Sequence, residues 1–450
     1  MSEKKPFIKE NIVKKTQIGR GFRRFIIILV SGILIGIIAA VTMVLAKPAA
    51  EKFFGEEETT TQEVVIIPRD EVPEEMTSQA IEETTQGETT QEYALESEPE
   101  AEPESTEASE EETTKAVEEI VQSAMEDYQY SIDDMTALWK NMSVLCDDID
   151  GSIVTVRTQS NGTDWFDNEI SKEGEYSGIV VAKTGYSSII LAPEAAVRDK
   201  DIVSIIWQND YECRGKVESS DSISGLAVIV VYDIALDDET QKIAKPVKLG
   251  NSYLIKRGDI LIALGSPKSL PHSTAYTWAS FVAKNESDID GQKTLIYTTE
   301  KCDSEKGTWF VNSNGEFIGW SVEKENNNQS SETVITGLSE YKTILEKMSN
   351  GSDYPYLGIR AIDVDNVNSD TELPRGIYVT EVLSDSPAYQ AGIQPGDIVT
   401  KIQDVAITST GELVKAVEEL KVSDPATVSV KRNGRDEYVD IDYELTVGKR

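Results

Sequence analysis

Short apolar runs separated by turn-forming residues fill the middle of the chain. They lie at residues 152–157, 178–182, 188–191, 202–206, 226–231, 260–264 and 294–297. Many short strands at this spacing are typical of an antiparallel barrel or sandwich. The pattern therefore predicts a mainly β domain over this part of the chain.

Helical periodicity is confined to a few places. Apolar side chains recur every three to four residues from Thr114 onwards, which predicts a helical lead-in before the first strand. We expect a short helix at residues 338–348 and another at 411–420, the latter within a second β-rich unit at 354–446. A chain of 450 residues is long enough to hold both β-rich units as separate domains.

The longest apolar run lies near the start of the sequence. Residues 25–46 are uncharged and mostly apolar, and this length is enough to cross a bilayer as a helix. Residues 1–24 carry eight lysines and arginines, and positive flanks stay in the cytoplasm. We therefore expect a cytoplasmic segment at 1–24, a single transmembrane helix at 25–46, and the bulk of the chain outside the cell membrane. A cleaved signal peptide is the alternative, but its apolar region is usually shorter.

The segment that follows is acidic and poor in large apolar side chains. The formal net charge of the chain is -37, and residues 51–112 hold 22 acidic against 2 basic side chains. Such a composition cannot bury enough apolar surface to fold, so residues 47–113 are predicted to form a disordered linker. The acidic balance also argues against a nucleic-acid partner, because phosphate backbones are bound by clusters of lysine and arginine.

Cysteine and histidine content limits the chemistry. The three cysteines, Cys146, Cys213 and Cys302, have no C-x-x-C spacing, which indicates neither a zinc site nor a disulfide framework; whether two of them pair is left open. We expect no metal and no cofactor. His272 is the only histidine. Because histidine is the usual general base at neutral pH, a Ser-His-Asp mechanism would have only one candidate base in this chain.

Two segments resemble HtrA-type (Deg) serine proteases. Residues 310–319 read F-V-N-S-N-G-E-F-I-G, similar to the V-N-x-x-G-x-x-I-G that follows the nucleophile in that family. Residues 256–267 read K-R-G-D-I-L-I-A-L-G-S-P, similar to the family's G-D-x-V-x-A-I-G-N-P. The order of motifs matches over about residues 140–446. The resemblance implies a two-barrel trypsin-like domain, which we assign to residues 114–349 with its helical lead-in.

The family's catalytic positions hold other residues in this register. Ala195 stands where the family has its histidine, Gly225 where it has its aspartate, and Lys306 where it has its serine. A serine nucleophile needs an adjacent base, and that base needs a carboxylate to orient it. The resemblance therefore implies a protease fold without catalytic residues at the triad positions.

The alternative is that a neighbouring serine acts as the nucleophile. The nucleophile loop is about two residues shorter than the family's, so a shifted gap would make Ser304 a weak alternative nucleophile. Its base would be His272, if that loop residue reached it, or Lys306 in a serine–lysine dyad.

The second β-rich unit resembles a PDZ domain. Residues 376–399 match the signature G-I-Y-V-x-x-V-x-x-x-S-P-A-x-x-A-G-I-x-x-G-D-I-V, and we assign the domain to residues 352–447. PDZ domains add a C-terminal peptide to a sheet edge and hold its carboxylate on the amides of a short loop. The predicted loop is Tyr356, Leu357, Gly358 and Ile359. Val414 and Val417 are candidates for the groove wall, with burial in the core as the alternative.

These expectations combine into one functional hypothesis. The chain is predicted to be a membrane-anchored HtrA-like pseudoprotease that binds C-termini or unfolded segments of exported proteins, as a chaperone, scaffold or regulator. The alternative is a serine endopeptidase of envelope protein quality control with an unconventional active site. The resemblance also implies a homo-oligomer, because HtrA proteins commonly form trimers.

Overall fold

The fold was analysed in a computed structural model. The structure describes residues 64–72, 130–163, 169–200, 202–322, 332–367, 373–435 and 437–450. The predicted cytoplasmic segment and transmembrane helix lie outside these ranges, as does most of the predicted linker. None of the helices within the described ranges is both long enough and apolar enough to cross a bilayer.

The first β unit follows helix α1 (Ile132–Asp150), which begins with a capping box between Ser131 and Asp134. Its strands are β1 (Ile153–Thr163), β2 (Glu169–Lys183), β3 (Ser187–Pro193), β4 (Ile202–Ile206), β5 (Glu212–Arg214), β6 (Lys216–Asp221) and β7 (Leu226–Tyr232). They pair in the order β5-β4-β1-β2-β3-β7-β6, and the ladders among them are antiparallel.

This first unit is a half-barrel, which corrects the two closed barrels that we predicted. No ladder between described residues joins β5 to β6. Gly215 alone connects these two strands. Since the shortest common hairpin loop has two residues, a one-residue connection does not turn the chain back into an antiparallel pair. A side chain at Gly215 would lie 2.5 Å from Ile229, so the connection is also tightly packed.

The second β unit closes into a barrel after a short helix, α2 (Asp238–Ile243). Its strands are β8 (Lys248–Leu249), β9 (Ile260–Gly265), β10 (Ala275–Asp288), β11 (Gly291–Thr298), β12 (Thr308–Asn312), β13 (Glu316–Val322) and β14 (Val334–Gly337). Six of them pair in the order β12-β9-β10-β11-β14-β13, and β13 pairs back to β12. The short strand β8 adds to β13 in parallel.

A shared core joins the two β units. It includes Trp309, Phe317 and Trp320 from the barrel, Leu191 from the half-barrel, and Ile149 from α1. Helix α3 (Lys342–Ser349) covers this core and leads into the next domain. All three cysteines are buried and free, so they form no disulfide.

Part of the predicted linker is structured. Residues 64–72 form an extended segment in which Val65 and Ile67 are buried against the shared core, whereas disorder was predicted across residues 47–113. The amide of Val65 donates to Asn350 Oδ1 (2.8 Å) and that of Ile67 donates to Glu346 Oε2 (2.7 Å). The apolar run at residues 64–67 has only four members and lies in an acidic background, so composition indicates a linker. Here the core supplies a surface for its alternate side chains.

The C-terminal domain has its own sheet and core. Its strands are β15 (Pro355–Tyr356), β16 (Ile359–Asp363), β17 (Ile377–Val382), β18 (Ile398–Ile402), β19 (Val405–Ala406), β20 (Pro425–Asn433), β21 (Tyr438–Thr446) and β22 (Gly448–Lys449), with helices α4 (Pro387–Ala391) and α5 (Thr410–Glu419). The main sheet runs β16-β17-β18-β20-β21, with β19 on β18, and β15 pairs with β22. Strand β16 is therefore an edge strand of the main sheet.

Buried charges lie where this domain meets the barrel. Arg450 Nε donates to Asp221 Oδ2 (3.1 Å), and the guanidinium lies 5.6 Å from the ring centre of Tyr341. Glu340 is half-buried nearby and accepts a hydrogen bond from Thr294 Oγ1 (2.5 Å), while its other oxygen, Oε2, is buried and has no partner among the described residues. Burial raises the pKa of Glu340 to about 7.

We predict that Glu340→Gln removes part of the pH dependence of folding stability. The raised pKa means that the folded chain holds a proton that the unfolded chain releases from about pH 4.5 upwards, so stability falls as the pH rises through about 7. The glutamine variant carries no such proton. We expect it to be more stable than the wild type by about 2 kcal/mol at pH 8 and similar at pH 4, as measured by urea unfolding.

The matched control is Glu419→Gln, because Glu419 is exposed on α5. This control should leave both stabilities unchanged. Equal unfolding free energies for wild type and Glu340→Gln at pH 8 would show that folding does not raise the pKa of Glu340.

Candidate functional site

The positions predicted for the family's base and orienter, Ala195 and Gly225, lie on neighbouring segments. Ala195 is exposed in a single 3-10 turn, Glu194–Ala196, directly after β3. The amide of Glu194 donates to the carbonyl of Gly225 (2.8 Å). Gly225 has φ +70°, and a Cβ there would meet no described atom within 4 Å. The nearest carboxylate, Glu194, is ion-paired with Arg198. Neither triad position therefore presents a group that takes up or orients a proton.

Hydrogen bonds within the predicted nucleophile loop engage two of its backbone amides. Asp303 Oδ1 accepts hydrogen bonds from the amides of Glu305 (2.8 Å) and Lys306 (3.0 Å). In trypsin-like proteases the amide of the nucleophile is one of the donors of the oxyanion hole. Here the equivalent donor, the Lys306 amide, is already bound by a side chain of the same loop.

The loop is also fixed against the half-barrel. The amide of Ser177 donates to the Lys306 carbonyl (2.8 Å), and the amide of Ser266 donates to the Gly307 carbonyl (2.9 Å). Gly307 has φ +88°, and a Cβ there would lie 2.2 Å from the Ser177 carbonyl oxygen and 3.2 Å from Pro193. Since Pro193 immediately precedes the turn that holds Ala195, the segments that carry the three predicted triad positions lie next to one another.

The alternative nucleophile has no base beside it. Within the described ranges, the Ser304 hydroxyl makes no hydrogen bond with His272 or Lys306. The Lys306 ammonium lies over the Tyr176 ring, 4.5 Å from its centre. His272 Nδ1 bonds Asp150 Oδ1 (2.9 Å) at the end of α1, and this hydrogen bond raises the pKa of His272.

The predicted carboxylate loop of the C-terminal domain does hold a carboxylate. The amides of Leu357, Gly358 and Ile359 all donate to the side chain of Asp290, at 2.8 to 3.0 Å. Asp290 lies in the two-residue turn between β10 and β11 of the barrel. Burial raises the pKa of Asp290, and the three amides oppose this shift. The loop requires glycine at Gly358, which has φ +86° and whose Cβ would lie 2.2 Å from Ser386 Cβ.

The two residues predicted for the groove wall, Val414 and Val417, differ in burial. Val414 is half-buried and faces the barrel turn, since a Cβ on Gly291 would lie 3.1 Å from Val414 Cγ2. Val417 is fully buried in the core of the C-terminal domain, so the core alternative describes it. The reason is helical phase: Val417 lies four residues after Leu413, on the inward face of α5. Tyr356 pairs with Gly448 beside the loop.

Asp290 was missed by the sequence analysis. Its one local signal is the Asp290-Gly291 dipeptide, which favours a tight hairpin turn. Nothing local indicates that this turn contacts a loop 67 residues further along the chain. Among the described residues, no group of three histidine, cysteine or acidic side chains converges as metal ligands would.

A family model for the PDZ domain matches residues 355–443. Serine protease Do-like HtrA of Lactobacillus helveticus is 27% identical over 345 residues, covering 68% of this chain and 81% of that protein. Serine protease Do-like HtrB of Bacillus subtilis (strain 168) is 25% identical over 322 residues, covering 66% and 69%.

Among solved structures, HtrA-type protease AlgW with decapeptide aligns at a TM-score of 0.48 and 18% identity, covering 68% of this chain and 97% of that one. The chain is thus related in sequence to the HtrA (Deg) serine proteases, with a trypsin-like domain followed by a C-terminal PDZ domain.

Proposed function

We propose that this chain is an HtrA-type pseudoprotease of protein quality control, which binds proteins through its PDZ domain and does not cleave them. The observation that carries the proposal is that Ala195, Gly225 and Lys306 occupy the predicted triad positions, on segments that lie next to one another. Acyl transfer by serine needs a base, a group that orients the base, and donors for the oxyanion. Alanine and glycine supply neither base nor orienter, and the Lys306 amide is bound to Asp303 at 3.0 Å.

A serine endopeptidase is the second candidate, and the comparisons favour it. Both relatives described above are named as serine proteases. Ser304 would then be the nucleophile, and the loop would have to rearrange before a base could reach it. The chemistry of the side chains at the predicted triad positions supports the first candidate. The sequence similarity over about two thirds of the chain supports the second. The decisive measurement is therefore made on Ser304.

We predict that the purified full-length chain neither cleaves unfolded casein nor is labelled by a fluorophosphonate probe. A serine hydroxyl without a base is a weak nucleophile, so both signals should equal those of Ser304→Ala. The variant is the matched control, because any signal that it retains comes from another residue or a contaminant. Labelling or cleavage that Ser304→Ala abolishes would contradict the prediction and establish the endopeptidase.

The PDZ domain supports the binding part of the proposal. Its loop amides are arranged to solvate a carboxylate, as their contact with Asp290 illustrates. Strand addition to β16 would supply main-chain hydrogen bonds that do not depend on sequence, so selectivity would come from a side-chain pocket. The half-buried Val414 on α5 would favour an apolar C-terminal side chain. Free C-termini and unfolded segments of exported proteins are the partners that we propose.

We predict that the full-length chain binds peptides with a free apolar C-terminus at a Kd on the order of micromolar, or about -8 kcal/mol. Amidation should weaken binding at least about tenfold, because it removes the charge that the loop amides solvate. The measurement is a titration of a random peptide library as free acids and as amides. Equal affinities for the free acids and the amides would contradict recognition of a free C-terminus, the activity called here the C-terminus reader.

Val414→Glu should weaken the binding of free acids by placing a carboxylate beside the peptide's own. The matched control is Val439→Glu, because Val439 is 50% exposed on β21, away from the groove helix. A loss of affinity in both variants would indicate a general effect on the domain.

We further propose that the chain is anchored in the cell membrane by residues 25–46, with its bulk outside. The support is the apolar run of 22 residues behind eight basic side chains. We predict that mass spectrometry of the membrane-extracted protein detects residues before Phe25. A mature protein that begins at or after Lys47 would instead indicate a cleaved signal peptide.

A further inference from the structure

The tip of the β10–β11 hairpin lies along the edge strand of the PDZ sheet. Ile289 forms an antiparallel bridge with Arg360 on β16. Ser287 Oγ donates to the Ala361 carbonyl (2.7 Å), and Arg360 Nη1 donates to the Ser287 carbonyl (3.2 Å). Since the two segments run antiparallel, the hairpin tip reaches the carboxylate loop at the start of β16. This is the direction in which a C-terminal peptide adds to a sheet edge.

Asp290 occupies the place of a peptide's last residue. Its amide donates to the Ile359 carbonyl (2.7 Å), and its carboxylate accepts from the amides of Leu357, Gly358 and Ile359. A C-terminal residue added as a strand would use the same edge groups, with its α-carboxylate in the place of the aspartate side chain. The hairpin tip and a peptide therefore cannot occupy the loop together.

The local backbone conformation lets an internal residue present its side-chain carboxylate to the loop as a C-terminal residue would present its α-carboxylate. Asp290 has φ +55°, a left-handed conformation that aspartate tolerates better than most residues. This turn sends the backbone away into β11 while the side chain points into the loop. Gly291 follows, and a Cβ there would lie only 3.1 Å from Val414. Glycine thus lets the hairpin pass close to the wall of the groove.

We propose that Asp290 is an internal ligand of the PDZ domain, so that peptides with a free C-terminus bind only when the β10–β11 hairpin tip withdraws from the loop. The proposal rests on the peptide-binding function proposed above and adds its regulation. A tethered competitor acts at a high effective concentration. The apparent association constant for peptide is then the intrinsic constant multiplied by the fraction of chains in which the tip is withdrawn. Peptide binding then loosens the barrel hairpin, which couples client capture to the protease-like domain.

The test compares the full-length wild type with Asp290→Asn. Asparagine is nearly isosteric, but its amide group would place a donor against the loop donors and remove the charge. Free-acid and amidated libraries are screened on both chains, and the tightest free-acid peptide is titrated by fluorescence anisotropy. We expect both peptides to bind at least about tenfold more tightly to Asp290→Asn, because withdrawal of the tip frees the same site for each. The free acid should remain at least about tenfold tighter than the amide, and Asp290→Glu, which keeps the carboxylate, should have an intermediate affinity.

The matched control is Asp404→Asn, because the Asp404 side chain is fully exposed on the same domain. It should bind peptide as the wild type does. Equal affinities of wild type and Asp290→Asn for a free-acid peptide would overturn the internal ligand while leaving the C-terminus reader intact.

Hydrogen exchange provides a readout that does not require peptide. The amides of residues 357–359 should be protected in the wild type and exchange at least about tenfold faster in Asp290→Asn, while the core strand β18 stays protected. If no peptide binds either chain, the C-terminus reader fails, and this measurement alone decides whether Asp290 holds the loop. Unchanged protection at residues 357–359 in the variant would overturn the internal ligand.

Discussion

The junction between the barrel and the PDZ domain depends on the buried carboxylate of Asp290. A carboxylate removed from water is costly unless donors replace the lost hydration. Three consecutive amides of the PDZ loop supply those donors at 2.8 to 3.0 Å. The contact is therefore favourable only when both sides are present, and removing either one leaves buried polar groups without partners.

A second buried charge reinforces the same junction. Arg450 follows β22, pairs with Asp221 of the half-barrel, and lies near Tyr341, which precedes α3. Asp288, two residues before Asp290, accepts a hydrogen bond from Tyr341 and pairs with Lys293 (3.1 Å). Although burial would raise the pKa of Asp288, these partners lower it. The hairpin that enters the PDZ groove is thus held from the barrel side as well.

The region around the predicted triad positions is held mainly by backbone contacts. Gly307 fits there only because it has no side chain. The amides of Ser177 and Ser266 donate to the carbonyls of Lys306 and Gly307 and so fix the loop. Alanine, glycine and lysine occupy the predicted triad positions within this frame. Function here depends on the chemistry of these side chains and not on the fold that carries them.

The sequence by itself determined the local elements and the chemistry at each position. Alternating apolar runs located the strands, and the 376–399 signature located the PDZ domain. The motif order predicts Ala195, Gly225 and Lys306 as the triad positions. Only the tertiary structure decided which distant groups meet. Asp290 and Leu357 are 67 residues apart, and Val65 bonds a residue 285 positions away. Sequence patterns report periodicity and side-chain type, whereas such contacts arise from packing, which brings a buried charge or an extended segment to the one surface that satisfies it.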